Sequence, residues 1–422
     1  MASFRDLMRQ NRRLLTAGMV GSILEWYDFA VYGYFALTLG KLFFPSDDPA
    51  TSLIASFGAF AAGYLMRPVG GALFGYIGDL VSRKKVLIIS IMMMAVPTFL
   101  VGTLPTHADI GLAAAALLVL LRMAQGISVG GEEVGAFVFL VEHAPPERRA
   151  FFGCWTYMGA FIGILLGSAV GALITALLSE QQLSDWGWRL PFLSGVVIAF
   201  VGLAIRRGIA EPALAGERAA SPMVEAVTRS WRVMLQAATL NMMGAVAFYA
   251  VFIYIVSWLV SQVGLSHETA LDINTISMVV IVVVMLAAAL LSDKIGRKPL
   301  LLFGSGGTAL FAYPLVWLMH HDSYVLVLAG QFGFAVLIGS FFAVIPATMA
   351  ELFPWRVRVT GAAVSYNLPM AIFGGTAPMV GAWLVHVTDD AMSVAWYVAA
   401  VAAISFVVAL TMRETQETPL DR

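Results

Sequence analysis

Residues 111–142 read GLAAAALLVLLRMAQGISVGGEEVGAFVFLVE. The run is longer than the ~20 apolar residues that cross a bilayer as a helix. It also holds Arg122, Glu132 and Glu133 in its interior. Each such charge costs ~2.5–3.5 kcal/mol at the centre of a span, so a segment that keeps three does more than anchor the chain.

Similar runs fill the rest of the sequence. Hydrophobic residues make up 60% of the 422 positions and charged residues 12%. Soluble proteins sit near ~45–50% and ~25%, so the composition excludes a soluble globular protein. Apolar segments lie at 14–43, 51–78, 85–104, 111–142, 150–178, 190–206, 233–262, 270–292, 299–319, 324–351, 360–386 and 391–412. The reading is an all-α integral membrane protein with twelve transmembrane helices. Arg5, Arg9, Arg12 and Arg13 precede the first span as they would in a signal peptide. That span is too long for a leader and contains Glu25 and Asp28, so it reads as a retained helix.

Of 25 Lys and Arg, 21 fall on one side of the layout, Lys41 and Arg189 on the other, and Arg67 and Arg122 inside spans. Basic loops face the cytoplasm. Both termini are therefore expected in the cytoplasm, with the chain crossing the cell (inner or plasma) membrane many times. The polar stretch 208–231 separates residues 1–207 from 232–422, giving two six-helix bundles and a cytoplasmic linker. The halves repeat: Glu142, Pro145 and Arg149 stand 209 positions before Glu351, Pro354 and Arg358, and Asp79 stands 214 before Asp293. Parallel repeats of this kind mark transporters, whose site lies at the repeat interface.

Buried charge gathers in the first half. Glu25, Asp28, Arg67, Arg122, Glu132 and Glu133 lie inside apolar runs, at a cost of roughly 15–20 kcal/mol before pairing. At ~100° per residue, Glu25, Asp28 and Tyr32 share one helix face, and so do Arg122, Gly126 and Glu133; Glu132 is turned about 80° away. Glu25, Asp28 and Arg122 each lie ~15–20 Å deep, so a carboxylate of the first helix can meet Arg122. Glu25 is the expected counter-ion of Arg67. Glu133 lies ~16 Å from Arg122 along the helix, too far to pair with it. With Glu132 it forms a candidate second proton stop.

His107, His143, His267, His320, His321 and His386 lie in loops or at helix ends. A proton relay must then use carboxylates, no buried metal site is expected, and His320-His321-Asp322 reads as plain loop. The single Cys154 excludes an intramolecular disulfide. Gly159, Gly163, Gly167 and Gly171 recur every fourth residue, a pattern for close helix contact. In the second half Asn241, Phe248 and Phe252 form a stripe with Tyr249 beside it, and Tyr366-Asn367 is a weaker candidate. Aromatic faces suit a quaternary ammonium. A net charge of −1 gives no field for nucleic acid.

The turn Asp293-Lys-Ile-Gly296-Arg297-Lys298 resembles the loop motif of the major facilitator superfamily. Within it, Glu25-Trp-Tyr-Asp28-Phe, Met66-Arg67-Pro-Val-Gly-Gly, Arg122-Met-Ala-Gln125-Gly126-Ile-Ser-Val-Gly130-Gly-Glu132 and Asp185-Trp-Gly-Trp-Arg189 resemble the metabolite:proton symporter family. Leu39-Gly-Lys-Leu-Phe-Phe-Pro45 and Met412-Arg-Glu-Thr415 look most like its proline/betaine branch. The resemblance implies two six-helix bundles related by a pseudo-two-fold axis, and substrates such as α-ketoglutarate, citrate, shikimate, proline or betaine. The Asp28–Arg122 placement also resembles the carboxylate–arginine arrangement of proton-coupled sugar porters. The first loop, Asp79-Leu-Val-Ser-Arg83-Lys84, departs from the motif, and Glu133 stands where relatives carry tyrosine. The sequence stops at Arg422 without the coiled coil of osmosensing relatives, which puts osmotic regulation in doubt.

Together these readings predict a proton-coupled symporter for a small carboxylate-bearing metabolite, acting as a monomer with no cofactor beyond the proton. Arg122 and Arg67 would hold the carboxylate; Asp28, with Glu25, Glu132 or Glu133, would carry the proton. Asp79, Arg83, Asp293, Gly296 and Arg297, with Glu142, Arg149, Glu351 and Arg358, would form the cytoplasmic gate. An antiporter of the same fold is the nearest alternative. A membrane-embedded enzyme would need a nucleophile–base or metal cluster within the spans, and a passive channel is the other distant class.

Overall fold

The structure, a computed structural model, describes residues 4–47, 49–80, 83–207 and 221–420. Among these residues it is helical, with no strand. Twelve helical segments follow the apolar runs. They are α1 Phe4–Tyr34, α2 in two pieces (Pro49–Leu65 and Arg67–Leu80), α3 Arg83–Thr103, α4 Leu112–His143, α5 Trp155–Leu177 and α6 Arg189–Arg207. After them come α7 Trp231–Val263, α8 His267–Ile295, α9 Lys298–Met319, α10 Tyr324–Leu352, α11 Trp355–Thr388 and α12 Ser393–Thr411. Large apolar side chains such as Phe200, Leu310 and Val325 are each 70% exposed. In a bilayer these are lipid contacts.

Two compact units divide the chain: Met1–Phe139 with Trp155–Arg218, and Leu140–Cys154 with Ala219–Arg422. The sequence leaves Leu140–Cys154 with the N-terminal bundle, whereas in the fold this short stretch packs within the second unit. Much of the expected linker, 208–220, lies outside the described residues; its end forms the helix Pro222–Arg229.

In the first unit, small residues decide how near the helices come. A Cβ on Gly126 of α4 would collide with the carbonyl of Gly63 in α2. On Gly159, Gly163 and Gly167 of α5 it would run into Met19, Ile23, Tyr27 and Ala30 of α1. The glycine ladder is thus a close-packing seam between α1 and α5. The Asp185–Arg189 motif is structural as well. Trp188 is fully buried against Phe43 and Phe192, and Arg189 Nη1 donates to the carbonyls of Gly102 and Leu104.

In the second unit, α7 and α11 are loosened by π-helical turns at Tyr249–Tyr254, Leu259–Val263 and Met370–Gly374. Such turns widen a helix locally and recur at functional sites. The α7–α8 turn follows ordinary rules, with Gly264 in the left-handed conformation and Ser266 Oγ accepting from the Thr269 amide at 3.1 Å.

Candidate functional site

Three helices of the first unit bring one polar cluster together. Asp28 comes from α1, Thr98 from α3, and Arg122 and Gln125 from α4; none is more than 1% exposed. Arg122 Nη1 donates to Asp28 Oδ2 in a short ion pair and to Gln125 Oε1 at 2.7 Å. Asp28 Oδ1 accepts from Thr98 Oγ1 and Gln125 Nε2, both at 2.9 Å. Gln125 Nε2 also reaches Thr98 Oγ1 at 2.8 Å, and the Thr98 hydroxyl has a second acceptor in the Met94 carbonyl at 2.8 Å. Pro97, inside α3, removes a backbone donor one residue before Thr98.

The rest of the Arg122 guanidinium lies among rings. Its Cζ is 4.2 Å from the centroid of Tyr32, 5.5 Å from Phe29 and 5.8 Å from Phe60. The Tyr32 hydroxyl is turned away and donates to the Ser56 carbonyl at 2.9 Å. Arg122 Nη2 is buried with no hydrogen-bond partner among the described residues. A cationic donor held dry and unsatisfied is a strong site for an anionic group, since pairing it recovers the desolvation cost.

A second cluster surrounds Arg67, which starts the second piece of α2 directly before Pro68. Arg67 Nη2 donates to Glu133 Oε2 at 2.8 Å, both side chains 1% exposed, and its Cζ stacks 5.3 Å from Tyr64. Glu133, and not Glu25, is therefore the partner of Arg67. Arg67 reaches Glu133 because Gly126 and Gly130 let α2 and α4 cross in contact. Glu132 turns the other way and accepts a short bond from Ser90 of α3, while Ser128 Oγ donates to the Ser90 carbonyl at 2.5 Å. The adjacent carboxylates thus serve different helices. Glu25 is 1% exposed, and neither of its oxygens has a hydrogen-bond partner among the described residues. The charges acting on it are Glu133, Arg67, Glu132 and Asp28.

Gate candidates assemble in the second unit. Arg297 donates to Asp293 at 2.9 Å and, in a bidentate pair, to Glu351 at 3.0 and 3.2 Å. Glu351 also meets Arg149 at 3.6 Å, and Arg358 donates to Glu142 at 2.6 Å. Asp293 accepts from the amides of Ala150 and Phe151 at 2.9 and 3.0 Å, fixing Leu140–Cys154 in this unit. Gly296 has φ +104°, a backbone that L side chains rarely adopt. The side chains of Asp79 and Arg83 lie outside the described residues.

The segment after α12 joins this network. Glu414 accepts from the amides of Arg297 and Lys298 at 2.8 and 3.0 Å, satisfying the first turn of α9. Thr415 Oγ1 donates to Glu351 at 2.8 Å, Gln416 Nε2 to the Asp293 carbonyl at 2.8 Å, and Arg149 to the Thr418 carbonyl at 2.7 Å. Burial pushes the Glu414 carboxyl up, but backbone N–H donors from Arg297, Gln416, Lys298 and Thr415 outweigh it and hold the group below its ordinary value.

The aromatic stripe of α7 is buried. Phe248 packs on Tyr249, Phe252 and Phe342 with centroids 5.4, 5.7 and 6.0 Å away. Asn241 donates to the Ala237 carbonyl at 2.8 Å, while its own carbonyl oxygen has no partner among the described residues. Tyr366 and Asn367 of α11 are buried, with Asn367 donating to the Ala363 carbonyl at 2.9 Å.

The sequence matches the Major Facilitator Superfamily over residues 15–363 and 239–422. It is 35% identical to a proline/betaine transporter of Salmonella typhimurium, covering 97% of this chain and 85% of the relative. It is also 35% identical to the glycine betaine/proline/ectoine/pipecolic acid transporter OusA of Dickeya dadantii, covering 97% and 84%. Among solved structures, the proton:xylose symporter XylE bound to 6-bromo-6-deoxy-D-glucose is similar, with a TM-score of 0.80, 19% identity and 97% of each chain covered. The inward-open xylose transporter XylE from E. coli gives 0.67 at 18% identity, covering 96% and 97%. The chain belongs to the Major Facilitator Superfamily and is a multi-pass membrane transporter, not an enzyme.

Proposed function

We propose that the protein takes up a small carboxylate-bearing metabolite together with protons, by alternating access across the cell membrane, with both termini in the cytoplasm. The observation that carries this reading is the dry Asp28–Arg122 pair, whose guanidinium has at Nη2 no hydrogen-bond partner among the described residues. In this buried pair a proton on Asp28 displaces Arg122, and an anion on Arg122 displaces Asp28, so each binding event favours the other. A substrate carboxylate would take the guanidinium as Asp28 accepts a proton, so the site gains both or neither. Arg supplies the planar fork that reads a carboxylate in a way Lys does not. The similarity to proline/betaine transporters supports a zwitterion over a plain organic acid as the substrate.

Inward movement of one net positive charge gains ~2.3 kcal/mol per 100 mV, enough for about fifty-fold accumulation. The Asp293–Arg297–Glu351 network would brace one state of the cycle, and Glu25 with Glu132 and Glu133 would extend the proton path.

Purified protein in liposomes, loaded with a pH-sensitive dye and offered proline, glycine betaine or α-ketoglutarate, tests the reading. Entry of one of these compounds should acidify the lumen. Alkalinisation would make the protein an antiporter, and substrate entry without proton movement would remove coupling altogether.

A further inference from the structure

Gln125 is the one side chain among the described residues that hydrogen-bonds both members of the Asp28–Arg122 pair. Its amide lies along the carboxylate. Nε2 is on Oδ1 at 2.9 Å, and Oε1 shares with Oδ2 the same arginine nitrogen, Nη1. A carboxylic acid and a primary amide form a ring of two hydrogen bonds, O–H to C=O and N–H to C=O. Half of that ring, Nε2–H to Oδ1, already exists here. The other half is interrupted by Nη1, which stands where an acid proton on Oδ2 would point.

We propose that Gln125 is a positioning residue for coupling. When a proton enters Asp28 at Oδ2, the Gln125 amide replaces Arg122 on that carboxyl, and the released guanidinium engages the carboxylate of the substrate. The proton comes from bulk water and forms one O–H bond; no other covalent bond changes. Arg122 has no acceptor of its own, so it cannot take the O–H of the protonated carboxyl, whereas the Gln125 carbonyl can. Gln125 has both a donor and an acceptor, so both carboxyl oxygens of Asp28 keep a hydrogen-bond partner before and after. Thr98 supports the exchange, because its hydroxyl can turn from Asp28 Oδ1 to the Met94 carbonyl. Tyr32, 4.2 Å from Arg122, keeps the freed guanidinium stacked in place.

The charged and titratable groups acting on this exchange are Arg122 from α4 and Glu25, Tyr27 and Tyr32 from α1; α3 brings the uncharged Thr98. The proposal rests on the reading of Asp28 as the proton site and Arg122 as the anion anchor.

Infrared difference spectra of the purified full-length protein, recorded between high and low pH without any substrate, test it. Acidification should raise a carboxylic-acid C=O band that Asp28→Asn abolishes, with a guanidinium band that shifts in the wild type and not in that variant. Glu25→Gln identifies any band belonging to Glu25. In Gln125→Met, of similar length and helix propensity, the Asp28 band should move to higher frequency, because the acid has lost its amide partner, and the guanidinium shift should disappear. Gln125→Asn keeps the amide but is one methylene too short to bridge, so it should show the same change. A band unmoved in both Gln125 variants overturns the role of Gln125 while leaving Asp28 as the proton site. A wild-type band that survives Asp28→Asn and Glu25→Gln overturns the Asp28 assignment and this proposal with it.

Discussion

Arg67 of α2 and Glu133 of α4 form an ion pair 2.8 Å long that is 99% removed from solvent on both sides. Removal of one member of a buried pair leaves a bare charge and costs about 3–5 kcal/mol, whereas apolar replacement of both is often neutral. Glu133→Met and Arg67→Met should each lower the melting temperature in detergent by several degrees, and the double variant should recover most of the loss. Losses that simply add in the double variant would show that the two residues are not a pair.

Asp293 joins the Arg297 guanidinium to the amides of Ala150 and Phe151. Asn at 293 keeps the shape but loses the charge and one acceptor. Transport by Asp293→Asn should slow several-fold while competition by a panel of carboxylates keeps its order. A reordered panel would mean that this network senses substrate, contrary to its assignment as a brace.

Glu414 gives a pH-dependent contact with a definite sign. Its carboxyl is held below the ordinary value of about 4.3 in the docked state, against burial, by four backbone donors. The docking contribution is therefore complete above that ordinary value and is lost as pH falls through the lower, folded one. Protection of the Arg297 and Lys298 amides against hydrogen exchange, taken relative to the intrinsic rate at each pH, should fall on acidification in the wild type. In Glu414→Gln that protection should be low at every pH. Protection of these amides in Glu414→Gln at neutral pH would place their restraint elsewhere.

The spans, their number and the buried charges were legible because a bilayer punishes polarity in proportion to depth, and one sequence records that directly. That a carboxylate of the first helix can meet Arg122 was legible from helical phase and depth, and the resemblance to sugar porters pointed to Asp28. The partner of Arg67 was not, because Glu25 and Glu133 stand on different helices and only the glycine-mediated α2–α4 crossing decides between them. Phe29, Phe60, Tyr64, Thr98, Ser90 and Ser128 were missed as neighbours of charge, being ordinary core residues by type. The four-residue spacing of Phe60 and Tyr64 was the available signal. Gln125 stood in a quoted motif, yet nothing in its spacing told that its amide spans both members of the pair. The segment after α12 was read only as a branch resemblance, since a capping contact from Glu414 to a turn more than a hundred residues away leaves no local pattern.

Arg122→Lys keeps the charge and removes the fork. Affinity for a carboxylate substrate should fall by an order of magnitude or more, about 1.4 kcal/mol for each tenfold, with purified yield and melting temperature close to wild type. Equilibrium binding by calorimetry checks this, and unchanged affinity would make Arg122 a structural residue.

In the proposed cycle the Asp28 carboxyl couples the proton to the substrate. Reconstituted Asp28→Asn, measured side by side for proton-driven accumulation and for exchange of internal against external substrate, tests it most directly. Accumulation and substrate-dependent proton entry should be lost, with exchange retained, because Asn holds the uncharged form of the site permanently. Accumulation of substrate by Asp28→Asn under a proton gradient, at wild-type levels, would contradict it.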